Sequence, residues 1–373
     1  MRPARAGRES RAPRDLTKEV DMLEKYMEKD KRMTAREAVE RFVHDGDSLV
    51  IANCLYATPY ALLHEIIRQG RKGLTVFQQG GIDELDQLIL GGCVKTLAMA
   101  YNFRVAGERI QTVLERALRR GEIEIEDYSN YTLLTMLQAG AMGYPFLPVM
   151  SGIRETDVYR VERAFRGQKF GEVTCPFTGE KVVVVRGRNP DVAVLHVQRA
   201  DKFGNAQLWG ALINSKWACL ASKRVIISCE QVVDEDTIMR TPHLTLVPGF
   251  RVCAVVEEPW GAHPSELLGF YDYDMVFRSL FFMQTMSEEG ARAWMEEWVY
   301  GVRDRQEYLQ HYADRFGLRF LQELRAKPYP SIPADYGSTG RGAWDEKDMS
   351  FNFQMNREEF LAALEEKGGF VDG

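Results

Sequence analysis

The stretch PDVAVLHVQRADKFGNAQLWG, residues 190–210, governs how the rest of the chain is interpreted. Its first half, Val192 to Val197, is a short, mostly β-branched and apolar run, the pattern of a strand buried in a sheet rather than of a helix turning one face to water. The run ends where Asp201, Gly204 and Asn205 cluster within five residues. A buried strand that stops at a knot of small polar residues raises the question of what that knot does.

On either side of this stretch the same alternation repeats. Ser48 to Ala52, Leu74 to Phe77, Val94 to Tyr101, Glu122 to Glu126, Val182 to Arg186, Val192 to Val197, Arg224 to Cys229 and Arg251 to Glu257 read as strands. Tyr60 to Gln69, Tyr131 to Met142 and Ala211 to Ser222 read as helices between them. Strands alternating with helices build βαβ units. The expected fold is α/β, a mostly parallel sheet with helices on both faces. One or two charged amphipathic helices are expected between Leu16 and Phe42. A long helical stretch from Ser287 to Ala326 adds C-terminal helices and carries Trp294, Trp298, Tyr300, Tyr308 and Tyr312. These divide the chain into a basic tail and leading helix (1–34), a main domain (35–326), and a Pro/Gly-rich linker with a terminal helix near Arg357 to Glu366 (327–373).

Composition narrows the function classes. At 373 residues the chain has ample material for a buried core, and a net charge of −6 gives no electrostatic footprint for nucleic acid. No apolar run approaches the roughly 20 residues that span a bilayer, and the N-terminus lacks the apolar region of a secretory signal. A cytoplasmic protein is expected. Its Arg-rich first 14 residues are too poor in large apolar groups to fold, and acidic residues follow at once, unlike an organelle transit peptide. The six cysteines contain no CxxC pair, and the six histidines are scattered. Reduced thiols and no metal site are expected.

In a parallel α/β sheet, ligands bind beyond the carboxyl ends of the strands. The candidate site residues are therefore Asn53, Cys54, Leu55 and Tyr56 after the first strand, Gln78, Gln79, Gly80 and Gly81 after the second, Tyr101 at the end of the third, and Tyr128, Ser129 and Asn130 after the fourth. Amide side chains and backbone N–H groups at helix starts suit a developing oxyanion. Each has a plainer use. Asn130 can cap the helix it precedes, Gly80 and Gly81 can make a tight turn, Cys54 can be a buried inert thiol, and His263 in PWGAHPS can be structural rather than an acid or base. No catalytic nucleophile declares itself.

Read together with CPFTGEKVVVV, VPGFRVCAVVEEPWGAHPSELLGFYDYD and LQAGAMGYPFLP, the opening stretch closely resembles the α subunit of family I coenzyme A transferases, especially the glutaconate CoA-transferase type. The resemblance runs in consistent order from about Ala35 to Gly317. It implies that the Asp201 to Asn205 knot is a turn leaving a buried strand, with Gly204 at positive φ and Asp201 and Asn205 bonding the local backbone.

It also implies an enzyme of two kinds of subunit that moves CoA from an acyl-CoA to a carboxylic acid, CoA being a substrate rather than a tightly bound cofactor. A β subunit, in an αβ or (αβ)2 assembly, would supply the glutamate that attacks the thioester and becomes a glutamyl-CoA intermediate. In this chain Glu288-Glu289-Gly290 falls at the start of an amphipathic helix and reads as a solvated face. Alignment on Ala139 to Pro145 places the family's oxyanion amide at Asn130. Related ring-opening acyl-CoA hydrolases carry a glutamate there, and an amide cannot replace a carboxylate as base. A hydrolase, or a non-catalytic ligand-binding module, is the alternative. Where many members have a Gly-Gly-Phe-like loop after the first strand, this chain has Asn53-Cys54-Leu55-Tyr56, with bulky Leu55 and Tyr56 either lining an acyl pocket or packing beneath the loop.

Overall fold

The computed structural model describes residues 30–102, 112–161 and 168–326, together with Ala362. Residues 1–29, the linker and all of the expected terminal helix but Ala362 lie outside these residues. In chain order the strands are β1 (Ser48–Ile51), β2 (Leu74–Gly81), β3 (Val94–Asn102), β4 (Glu124–Asp127), β5 (Phe146–Pro148), β6 (Phe170–Thr174), β7 (Lys181–Arg186), β8 (Val192–Asp201), β9 (Ala206–Gln207), β10 (Arg224–Val233), β11 (Thr245–Val247) and β12 (Ala254–Glu257). Across the main sheet β12, β10, β8, β1, β2, β3 and β4 lie side by side, and every one of these neighbours is parallel. The chain builds outward from β1 to β4, then returns to lay β8 on the other side of β1. That reversal makes β1 and β8 the switch point of the sheet, and the carboxyl ends of the strands at such a point are where a doubly wound sheet takes its ligands.

The helices α1 (Ala35–Phe42), α2 (Tyr60–Arg68), α3 (Asp83–Leu90) and α4 (Val113–Arg119) precede α5 (Asn130–Ala141) and α6 (Ser215–Ala221). Period-two alternation sorts the strands between two cores. Val50, Phe77 and Ala98 face Leu133, Met136 and Leu137 of α5. Leu49, Ile51, Val76 and Leu97 face Leu62 and Ile66 of α2 and Leu85 and Leu88 of α3. Both faces are covered, so the central strands are apolar on both sides.

The knot at the end of β8 is the turn that the resemblance implied. Asp201 Oδ1 accepts the N–H groups of Phe203 and Asn205, both at 2.9 Å, and Asn205 Nδ2 donates to Asp201 Oδ2 at 2.6 Å. Gly204 sits at φ 95°, where a Cβ would also strike Val252. Asn205 Oδ1 then accepts the Gly249 N–H at 2.8 Å, pinning the turn to the approach of β12. The reversal lets the far end of β8 pair antiparallel with β9, to which β11 adds.

Val182 to Arg186 is a strand, but outside the parallel sheet. β7 is the middle of a separate antiparallel sheet ordered β5, β7, β6. Only five residues join β7 to β8, whereas a parallel crossover needs a dozen or more.

After β12 come α7 (Met275–Gln284), α8 (Glu288–Met295), a π turn through Tyr300, then α9 (Arg305–Phe316) and α10 (Leu318–Leu324). Trp294, Trp298, Tyr308 and Tyr312 are buried together against Phe277 and Phe281 of α7. The aromatic stripe is thus the core of a helical cap, and Tyr300 alone of the five is exposed.

Candidate active site

The loop after β1 carries an unusual backbone. Asn53, Leu55 and Ala57 have φ of 76°, 65° and 49°, a region that residues with a Cβ enter at about 1–2 kcal/mol each. Here the chain keeps a conformation suited to glycine without glycine. Strain of this kind persists only where the surroundings enforce it, and the enforcing contacts can be named. Asn214 Oδ1 accepts the Asn53 N–H at 2.8 Å, Glu266 O accepts that of Ala57 at 2.9 Å, and Ser265 Oγ accepts that of Thr58 at 3.0 Å. Only Leu55 reaches solvent in the run from Ala52 to Pro59, and it is half-buried.

Tyr56 belongs to the core beneath this loop rather than to an exposed pocket wall. Its hydroxyl donates to Trp209 O and accepts from Gln198 Nε2, and its ring occupies the space a side chain at Gly210 would need. Cys54 is buried beside the Gly80 backbone and the Tyr101 hydroxyl, and burial pushes its thiol up to about 11. It is a neutral thiol at physiological pH, not an activated nucleophile. Tyr101 is half-buried above it, its hydroxyl raised to about 12 chiefly by burial.

Gly80 and Gly81 are the last residues of β2, not a turn beyond it. Gly80 is small because the Tyr101 ring lies across it from the paired strand, and Gly81 because the Leu85 side chain of α3 comes against it. Gln78 is fully buried and its Nε2 faces three acceptors: Asn53 O at 3.3 Å, Gly80 O at 3.0 Å and Glu84 Oε1 at 3.1 Å. Gln79 is half-buried, and its Oε1 has no hydrogen-bond partner among the described residues. The ends of β1, β2 and β3 therefore bring Cys54, Gln78, Gly80 and Tyr101 into one neighbourhood.

Tyr128, Ser129 and Asn130 follow β4 at the same edge of the sheet. Tyr128 is buried, its hydroxyl donating to Glu126 and its ring 5.5 Å from the Lys169 ammonium. It is a packing residue. Ser129, not Asn130, is the helix cap: its Oγ accepts the Thr132 N–H at 3.1 Å, and Thr132 Oγ1 accepts the Ser129 N–H at 2.9 Å. Asn130 is the first helical residue, exposed, and its amide makes no hydrogen bond among the described residues. An exposed amide on the first turn of a helix adds a donor to the positive end of the helix dipole.

The motif Ala139 to Pro145 sets where that helix lies. A Cβ at Gly140 would land on the Arg188 carbonyl oxygen, and Gly143 takes φ 72° just past the helix end. Small residues here let α5 press onto the segment that leads into β8, and Asn189 Nδ2 closes the contact on Gly140 O at 3.0 Å.

Two histidine networks resemble catalytic arrangements and are closed. His196 lies 2.9 Å from both Ser228 Oγ and Glu230 Oε1. His263 lies 3.0 Å from the Tyr308 hydroxyl and 3.2 Å from Asp274 Oδ2. Both rings are 0% exposed, so no substrate reaches them. His263 is structural. Glu288 and Glu289 open α8, with Ser287 as its cap, and Glu288 pairs with Arg120 on the surface.

Sequence reasoning missed Asn214, Glu84 and Arg278. A signal existed for the last, a lone charge in the otherwise uncharged MVFRSLFFMQ, which a buried ion pair would explain. Its partner is Asp83 at the start of α3.

Comparison with known proteins fits this architecture. The family described as Coenzyme A transferase matches residues 32–258. The A-subunit of glutaconate CoA-transferase from Acidaminococcus fermentans is 33% identical over 80% of this chain and 95% of its own length. The A-subunit of 3-oxoadipate CoA-transferase from Pseudomonas knackmussii is 35% identical over 74% of this chain and 96% of its own. The crystal structure of the Acidaminococcus fermentans glutaconate coenzyme A-transferase superposes with a TM-score of 0.71 at 31% identity, over 82% of this chain and 98% of that one. Fold and sequence agree, and the chain belongs to the coenzyme A transferase family.

Proposed function

We propose that this chain is the α subunit of a heteromeric CoA transferase whose active site is completed by a β subunit. The reaction passes CoA from an acyl-CoA to a free carboxylic acid. The β chain's glutamate carboxylate attacks the thioester carbonyl, the CoA thiolate leaves, and an acyl-glutamyl anhydride forms. The thiolate then attacks the glutamyl carbonyl, releasing the first acid and leaving glutamyl-CoA. The acceptor acid repeats the two steps in reverse, so the thioester is conserved and the glutamate is regenerated.

The observation that carries the reading is Asn130, an uncommitted amide on the first turn of α5. Its N–H groups suit the oxyanion that develops at each attack on a carbonyl, and its chemistry does not suit a general base. The neighbourhood of Cys54, Gln78, Gly80 and Tyr101, with Leu55 at its open side, forms a wall for the acyl group in this reading.

The test is turnover of Asn130→Ala in the assembled complex, with acyl-CoA and carboxylate as substrates. The reading predicts a fall in kcat of about 10²–10³ with the complex intact. Full turnover in that variant would remove Asn130 from the mechanism.

A further inference from the structure

Glu84 stands where a carboxylate is costly. It is 1% exposed, directly beneath the loops of the candidate site. Its Oε1 accepts from Gln78 Nε2 at 3.1 Å and from the Ile82 N–H at 3.2 Å. Its Oε2 accepts from the Tyr60 hydroxyl at 3.3 Å and lies 3.8 Å from Arg278 Nη2. Tyr60 also donates to Asp83 at 2.7 Å, and Arg278 pairs mainly with Asp83, so Glu84 receives only a share of each. Burial and the neighbouring Asp83 raise its carboxyl to about 7. A buried carboxylate with a divided counter-charge is a poor stabiliser of a fold.

What it does instead follows from Gln78. All three groups around Gln78 Nε2 are acceptors, and the amide has two hydrogens to share among them. Glu84 fixes the direction of that amide from below. The amide in turn ties the carbonyl of left-handed Asn53, at the end of β1, to the carbonyl of Gly80, at the end of β2.

We propose that Glu84 is a positioning residue, holding the Gln78 amide so that it locks the strained loop after β1 to the end of β2 and thereby sets the geometry of the acyl wall. The proposal deepens the transferase reading and rests on it for its effect on turnover. The groups facing Glu84 are Asp83 on its own helix, Tyr60 on α2, Arg278 on α7, Tyr273 ahead of α7, and Cys54 and Tyr101 above.

The experiment compares Glu84→Met and Glu84→Gln in the complete chain, purified with its partner. Methionine keeps the volume and loses the acceptor, and glutamine keeps an acceptor without the charge. Glu84→Met should lower kcat by about 10- to 100-fold, the scale of a small misplacement at a site, with KM within about threefold. Glu84→Gln should recover most of it. In parallel, amide hydrogen exchange over residues 52–58 and 78–82 should quicken in Glu84→Met and stay near wild type in Glu84→Gln. Gln78→Met, which removes the amide itself, should reproduce the exchange pattern of Glu84→Met. Unchanged exchange in Glu84→Met, or equal losses in both Glu84 variants, would overturn the proposal. If the wild-type complex transferred no CoA, the transferase reading would fail, while the exchange comparison would still decide whether Glu84 holds the loop.

Discussion

Among single residues, those of the loop after β1 separate side-chain chemistry from backbone chemistry. Asn53, Leu55 and Ala57 adopt left-handed φ although none is glycine, and no local pattern signals it. The left-handed backbone is imposed on these bulkier residues by Asn214, Glu266 and Ser265, which come from distant parts of the chain. A test follows. Replacing a leucine that packs well ordinarily costs about 2–5 kcal/mol, whereas Leu55→Gly also relieves a backbone penalty of about 1–2 kcal/mol. Because Leu55 is half-buried, roughly half of that packing cost applies, about 1–2.5 kcal/mol, and relief of the strain leaves an expected loss below about 1.5 kcal/mol in urea unfolding. A loss above about 2 kcal/mol would mean that the side chain, not the backbone, dominates at this position. Tyr56 and Tyr128 teach the related lesson that an aromatic residue beside a strand end is legible as near the site, while its direction depends on partners such as Gln198 and Glu126 that no local pattern reveals.

Among the elements, most strands could be read because β-branched runs in a doubly covered sheet need no periodicity to stand out. β7 was legible as a strand but not its place in a separate antiparallel sheet, since apolar composition reports burial and not the partner. α7 was not anticipated because its charge pattern is dominated by one buried arginine. Two predictions belong here. Gly140→Ala forces α5 away from the Arg188 carbonyl and should destabilise the fold by about 1–3 kcal/mol or more, as overpacking does, seen as a lowered midpoint in thermal unfolding. A midpoint unchanged within error would show that α5 yields freely.

Glu258, just past β12, is raised to about 7 by burial. An acid whose folded value exceeds its ordinary one of 4.5 binds more protons in the folded state. Its contribution therefore falls as pH rises from about 4.5 through 7, and stays unfavourable above. Glu258→Gln should match wild type near pH 4.5 and exceed it at pH 8 by on the order of 3 kcal/mol. A difference that is the same at both pH values would contradict the shift.

In the molecule as a whole, the parallel sheet reverses its winding between β1 and β8, and the helical cap of α7 to α10 buries the aromatic stripe within the chain. Tyr300 alone of the stripe stays exposed. The fold class was legible from the repeated alternation of strand and helix. The candidate site was legible only as a set of strand ends, because which residues are free and which are committed is fixed by contacts across the sheet. Tyr56, committed to Trp209 and Gln198, is the clearest instance, whereas Asn130 is left free by a local choice, Ser129 taking the cap.

The decisive experiment is to purify this chain with whatever partner binds it in fixed stoichiometry and follow acyl-CoA by mass spectrometry with and without a free carboxylic acid. A transferase built on this chain should copurify with a second subunit carrying the attacking glutamate, and its CoA should move onto the added acid with little free CoA released. Equal release of free CoA whether or not the acid is present would contradict that assignment.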